Sequence, residues 1–524
     1  MSVKKYCRSD ALQDKVLNGV DKLVSNVSVT LGPCGRNVIL QEKNKVPIIT
    51  KDGVTVAKFV DYEDPFENAG AQIIKQVASQ TNTQVGDGTT TSTVLAGDML
   101  QRAQRFIKSG YEPVELKAGM DLAVKDVVST LKKNAIEIQS LADIEHVATI
   151  SANNDHTIGK LVSMAVDQAG KNGAISIEEA RSVETSLEIV EGFVIEAGYV
   201  SPQFITDERA RIAKYDDCLI FMTDHKLEFL EPVLPVLEIA ARENRPLIIV
   251  ADDIVGQFLA ALIMNTARGS MRIVAIKAPH YGEERRSVLD DLAISTGGEV
   301  LKRESGKKFS DLKLSDFGRV KSIEVTKKQT TFMGGRGSQE TIEARIEAIE
   351  SEIRMTDSIK ECERLQKRIT GLASGIAVIR VGAATEVEMI EKKYRIEDSL
   401  SAVKAAQLGG IHVGGGIPFV RAAKTLKKLK GKTSAEKVGY GIVIDSLGSP
   451  IRQMAKNAGL PPDVIYDRSL RLSSDKGFDF KTGKVVNMTE AGIIDPVEVS
   501  CAALINATSA VSTLISTECA IVQT

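Results

Sequence analysis

Gly86-Asp87-Gly88-Thr89-Thr90-Thr91 interrupts two long amphipathic segments, and few local structures accommodate it. The segment before it, about 65–84, carries Ile73, Ile74, Val77 and Ala78; the one after runs from Thr89 through Val94, Leu95 and Met99 to Gly110. Glycines let the chain turn sharply and let an anion come close to backbone N–H groups. A helix beginning just beyond adds unpaired N–H donors and the positive end of a dipole. The threonine hydroxyls suit phosphate oxygens or a cation, and Asp87 is placed to hold a metal. Gly-Asp-Gly-Thr alone is better read as an ordinary helix start. The threonines shift that balance modestly, so a second element is needed.

Two upstream pieces supply it. Thr30-Leu31-Gly32-Pro33 ends an amphipathic run containing Val16, Val20, Leu23 and Val27, and Gly-Pro both stops the helix and exposes amides at the break. Ile48-Ile49-Thr50-Lys51-Asp52-Gly53 reads as a short apolar strand ending in a charged turn, with Asp52 able to face a shared cleft. Each piece is common, but the three together are not.

The set resembles the nucleotide-binding signature of the group I chaperonins, the bacterial and organellar chaperonin family. Thr149-Ile-Ser-Ala-Asn153, Val381-Gly-Ala-Ala-Thr-Glu-Val-Glu388, Arg395-Ile-Glu-Asp398, Gly414-Gly415-Gly416 and Gly492-Ile-Ile-Asp495-Pro496 follow in the family's order and spacing. The resemblance covers essentially the whole chain. No Gly-x4-Gly-Lys-Ser/Thr occurs, which argues against the P-loop class.

At 524 residues the chain is too long for one core. With 67 Lys plus Arg against 69 Asp plus Glu, no basic excess points to a nucleic-acid partner. Six cysteines without CxxC spacing read as free thiols of a reducing compartment. No apolar run approaches the ~20 residues of a membrane span, and Met-Ser-Val-Lys-Lys-Tyr has no signal core, so a soluble, cytoplasmic protein without a membrane partner is expected. Aromatics are only 4%, which leaves the cores to aliphatic side chains.

The resemblance implies an α/β multidomain chaperonin fold with three nested domains. These are a mainly helical equatorial ATP-binding domain (1–133 and 409–524), a small mixed intermediate hinge domain (134–190 and 377–408) and an α/β apical domain (191–376). Within the last, Cys218–Phe221, Leu247–Val250 and Ile273–Ile276 read as buried strands. A charged helical hairpin carries Ile342, Ile346, Ile349 and Ile353 on one arm and Leu365, Ile369 and Leu372 on the other, a spacing that reads as packing. Gly192 and Gly375 flank the apical segment where a hinge would suit.

For the chemistry, the resemblance implies ATP hydrolysis. Thr30, Leu31, Gly32, Pro33, Asp87, Gly88, Thr89, Thr90 and Thr91 would hold the phosphates, with Mg2+ on Asp87 and K+ near Thr30, Lys51 and Thr90. Asp52 would orient water or support the metal, and Asp398 would swing in with its domain to complete the site. Gly415 and Asp495 would contact the nucleoside, and Asp479, Phe480 and Lys481 would lie near the base, Phe480 stacking on it. Asp155 and Arg395 match a pair that braces the intermediate domain.

Segments 231–243 and 254–268 are apolar over more of their circumference than a helix on a sheet requires. Deeper burial is the ordinary explanation. The resemblance instead assigns Tyr199, Phe204, Leu234, Leu237, Leu259, Ile263 and Met264 to a surface for non-native polypeptide clients or a co-chaperonin lid, on a homo-oligomeric ring, heptameric in the family. Some positions depart from the family. Cys34 stands where lysine is common, Asp479-Phe480-Lys481 replaces Asn-Ala-Ala, and Ser434 and Pro461 replace acids that join two rings, while Arg105 and Arg452 stay basic. A phage-encoded or otherwise specialised relative would fit these departures. An ATP-independent holdase or structural ring is opposed by the intact Asp52, Asp87 and Asp398. A metabolic enzyme finds no catalytic cluster to support it.

Overall fold

Close helix crossings dominate the first part of the molecule. In this computed structural model, which describes residues 4–41, 47–170, 174–180, 182–208, 210–356, 358–373 and 375–523, the chain forms two units, Met1–Met164 with Ala383–Thr524, and Ala165–Gly382. In the first, helix Ser9–Ser28 buries Val16, Val20, Leu23 and Val27 along one face. Helices Pro113–Lys133 and Ser434–Ser446 meet backbone to backbone: a Cβ on Gly119 would lie 1.9 Å from the Glu436 carbonyl oxygen, and one on Gly439 would lie 2.0 Å from that of Leu116. Any larger side chain at either position would force the pair apart.

Helix Val497–Ile515 is the most apolar long helix of its unit among the described residues, although polar residues interrupt it. It is long and apolar enough to cross a membrane, yet 72% of its most apolar window is buried. It packs against helices Thr89–Lys108 and Pro65–Val85 as the core of its unit, where small residues such as Ala503 and Ala507 allow close approach. Strands Lys4–Arg8 and Cys519–Gln523 pair antiparallel, as do Val38–Leu40 and Ile48–Thr50.

The second unit holds a sheet of nine strands among the described residues. Ile273–Lys277, Leu247–Ala251 and Ala213–Thr223 run parallel, and Gly318–Val325, Thr330–Gly335, Ser186–Ile195 and Gly375–Val381 continue from them antiparallel. Leu247–Ala251 is buried throughout, as its unbroken apolar run requires. The hairpin of helices Gln339–Met355 and Ile359–Ala373 lays its isoleucine and leucine stripes on the sheet's core. Gly192 and Gly375 are paired residues inside strands, not a free hinge. A Cβ on Gly192 would meet Ile376 at 1.9 Å, so close side-chain packing accounts for this glycine. All six cysteines are free, and burial pushes the Cys218 and Cys501 thiols up to about 12, which leaves both inert at neutral pH.

Candidate functional site

The first unit contains a cleft of about 460 Å³ built by the ends of several elements. Helix Pro65–Val85 stops at Gly86, whose N–H returns to the Asn82 carbonyl. Gly88, at φ +79°, precedes helix Thr89–Lys108 without any side-chain cap, so the first-turn amides keep their donors for a ligand. The ends of helix Ser9–Ser28 and strand Ile48–Thr50 come in beside it. Thr30 Oγ1 donates to the Val27 carbonyl and lies 3.2 Å from Thr90 Oγ1. A Cβ on Gly53 would stand 2.2 Å from that same Thr90 oxygen, so glycine is required for the turn to close on the threonines.

Every nucleotide and metal residue expected from the sequence lines this one cleft, from Thr30–Pro33 and Lys51 through Asp87–Thr91 to Asp398, Gly415, Asp479–Lys481 and Asp495. Asp52 caps helix Gly53–Phe59, accepting from the Val54 and Thr55 amides at 3.2 and 3.1 Å, which fixes its carboxylate at the wall. Asp87 accepts from the Gly88 amide and, at 2.9 Å, from Ser151 Oγ. Burial, and then the charge of Asp52, push the Asp87 carboxyl above the usual range. Asp495 is pushed up to about 7, first by burial and then by Asp87, against a hydrogen bond from the Gly415 amide. Buried carboxylates raised by burial and by a neighbouring carboxylate mark a candidate functional site.

Residues 23–524 match the model of the TCP-1/cpn60 chaperonin family. The chain belongs to that family. Chaperonins are ATP-dependent molecular chaperones and ATPases, and that function is this chain's. Chaperonin gp146 of bacteriophage EL 2 (Pseudomonas aeruginosa), crystallised in the presence of ATP-BeFx, is 20% identical over 99% of both chains with a TM-score of 0.69, a likeness of fold.

Some expected contacts of this chaperonin change in the structure. The Phe480 ring is not free to stack on a base: it is 5% exposed and packs edge-on against Phe478 with centroids 5.1 Å apart. Its carbonyl accepts from Cys34 Sγ at 3.2 Å, so Cys34 ties the loop to the segment after Pro33. Asp479 folds back on the Lys481 amide and the Thr482 hydroxyl, at 2.9 and 2.6 Å. In the second unit, Phe204 is fully buried and Leu237 is 6% exposed, both within the core, so neither belongs to an open binding surface. Phe204 ends the short turn Pro202–Phe204, and Leu237 shares the inward face of helix Leu234–Glu243 with Val236 and Ala240. Tyr199, Leu259 and Ile263 are half-buried against that core, whereas Leu234 and Met264 are 41% and 51% exposed. Phe229 and Tyr281 are exposed too and were not anticipated, because isolated aromatics in loops leave no periodic trace.

Arg452 is occupied: its Nε bonds Asp463 at 2.8 Å and its guanidinium stacks on Tyr466 at 3.9 Å. His146, His156, Glu391 and Tyr394 also line the cleft and were not singled out. Single polar residues on ordinary helices carry no signal of their own.

Proposed function

We propose that this chaperonin is the subunit of a homo-oligomeric ring, heptameric by family resemblance, that captures non-native polypeptides and folds them in cycles timed by ATP hydrolysis in the cleft, with a co-chaperonin lid as an optional partner. The three-way domain division given above is part of this reading. The observation that carries it is the opening of two uncapped helix N-termini, after Gly88 and after Gly416, into the cleft that also holds Asp52, Asp87, Asp398 and Asp495.

The donor set fits Mg2+ and K+. Among the described residues no group of three or more His, Cys, Asp or Glu could hold a metal alone, so a divalent ion needs phosphate oxygens as ligands, as Mg2+ does. Asp87 would hold it from the protein side, offsetting the charge that raises the carboxyl pKa values. Thr30 and Thr90, with Lys51 beside them, offer the neutral oxygens a K+ takes. Mg2+ would neutralise charge on the transferring phosphoryl group. The chain's own part is positional. The amides of Thr89–Thr91 grip phosphate oxygens, capped Asp52 stays fixed, and Asp398 accepts a hydrogen bond from the attacking water. Titration calorimetry of ATP with and without Mg2+ and K+ tests the site. Electron microscopy with and without ATP tests the ring.

The Asp495 shift gives a pH dependence with a definite sign. Ribose hydroxyls donate to the ionised carboxylate, but below about 7 burial and the neighbouring Asp87 keep Asp495 protonated. Nucleotide affinity therefore rises from pH 6 to pH 8, by about 10-fold for one group of that pKa. Because the folded pKa lies above the unfolded one, the nucleotide-free fold loses stability as pH rises from the ordinary carboxylate range through about 7. Calorimetric Kd values across that range, with Asp495→Asn showing a flat profile beyond the nucleotide's own titration, check it.

Client capture is assigned to the exposed part of the surface alone. Leu234→Glu with Met264→Glu is expected to abolish capture of an unfolded substrate and leave the thermal unfolding temperature unchanged, since both side chains are open to solvent. Undiminished capture by the double variant would place client binding elsewhere.

A further inference from the structure

The second unit holds a cavity of about 220 Å³ between its sheet and the helical hairpin. Strand periodicity builds one wall. Glu191 and Phe193 stand two residues apart and so share a face, and Phe193 pairs across the ladder with Phe332. Helical periodicity builds the other, because Gln339, Ile342, Glu343 and Ile346 fall on one side of helix Gln339–Met355. Phe193, Phe332 and Leu372 are buried, and Ile342 and Ile346 pack against the same core. Glu191, Gln339 and Glu343 are exposed, so the cavity is apolar and aromatic in its depth and carries two acids at its mouth. Glu343 accepts from the neutral Gln339 side-chain amide at 3.1 Å, and among the described lining residues none is basic.

We infer that this cavity is a binding site for a small organic cation, an arylammonium or alkylammonium whose apolar body fills the aromatic depth and whose charged end meets Glu191 and Glu343. The lining selects that class. Apolar walls gain from taking an apolar body out of water and gain nothing from a fully hydrated ion. Two carboxylates with no basic side chain beside them attract positive charge and reject an anion. Phenylalanine rings add attraction for a cation that reaches their faces. With a volume of 220 Å³ against 460 Å³ for the nucleotide cleft, the cavity takes one substituted ring and not a nucleotide. None of its lining residues belongs to that cleft, and the exposed Leu234 and Met264 lie outside it as well. Ser295 and Thr296, in the last turn of helix Gly282–Thr296, complete the lining, so a bound cation touches sheet, helix and hairpin together. Because it binds only the folded unit, it clamps the hairpin in place and stabilises that unit.

The test is a fluorine NMR titration of para-fluorophenethylammonium with the full chain, with and without saturating ADP and Mg2+. Saturable binding with a Kd of about 1 mM is expected, the affinity a probe of this size reaches. Para-fluorophenethyl alcohol, the same body without the charge, should bind more weakly. Glu191→Gln with Glu343→Gln is expected to weaken the amine about 10-fold, the loss of two exposed charge pairs, and to leave the alcohol unchanged. Ile346→Trp, which fills the cavity, should abolish binding of both. Displacement of the amine by ADP would put it among the carboxylates of the nucleotide cleft and overturn the inference. So would equal affinity of the parent for amine and alcohol, undiminished amine binding by the double variant or by Ile346→Trp, or no saturable binding by the parent. Should Ile346→Trp not fold, the double variant decides alone, since both glutamates are exposed.

Discussion

Asp398→Ala is expected to lower ATP turnover by about 10²–10⁴-fold, the range for losing a positioned acid–base group, with ATP affinity essentially unchanged. The reason lies in the site's construction. In the proposed site the phosphate donors are the turns at Thr30–Pro33 and Asp87–Thr91, whereas Asp398 comes from helix Glu386–Gly409. Removing it takes away alignment of the water and leaves the phosphate grip intact, the pattern of an interaction made only in the transition state. The affinity measurement separates it from Asp87. That carboxylate is bonded to the Gly88 amide in the phosphate turn itself, so Asp87→Ala should lose binding and turnover together. If Asp398→Ala loses affinity as much as turnover, the residue is a binding group and the proposed timing of hydrolysis fails with it.

The phosphate turns were legible in the sequence because their chemistry is backbone chemistry. Gly88 at positive φ and Gly53 against Thr90 are where the turns need glycine, but only their joint presence with Thr30–Pro33 set them apart from ordinary helix starts. Asp398 was legible only through family resemblance, since a lone carboxylate on such a segment describes any solvated helix. The client surface was read too broadly for a different reason. Periodicity shows that helix Leu234–Glu243 has an apolar side, but not which of those residues meet the sheet: Leu237 turned inward and Leu234 outward. Phe480 failed likewise. Nothing local announces that its ring finds Phe478, because the packing that buries it includes Ile465 and Met488 from other segments. Long-range pairing, such as Ser186–Ile195 with Gly375–Val381, lies beyond any window of periodicity.

The largest expected loss of stability belongs to a residue that no motif or periodicity marks. Asp291, 1% exposed on helix Gly282–Thr296, accepts from Arg345 Nε at 2.9 Å and from Arg368 Nε and Nη2 at 2.7 and 2.9 Å. One buried carboxylate thereby ties both arms of the hairpin to the helix beneath. Arg368 is itself 8% exposed, so Asp291→Ala would leave a buried guanidinium without its counter-ion. The expected cost is about 3–5 kcal/mol in the second unit, the usual penalty for breaking a buried pair from one side. Exposed pairs such as Lys108 with Asp14 should cost far less by the same measurement, because solvent screens them. Denaturant unfolding monitored on the second unit reads the difference, with nucleotide affinity in the first unit as a check that only one unit is affected. Replacing Asp291, Arg345 and Arg368 together by apolar residues of similar size should recover most of the loss, because the penalty comes from an unpaired charge and not from lost packing. A loss below about 1 kcal/mol in Asp291→Ala would mean that water reaches Arg368 and that the leucine and isoleucine stripes hold the hairpin unaided.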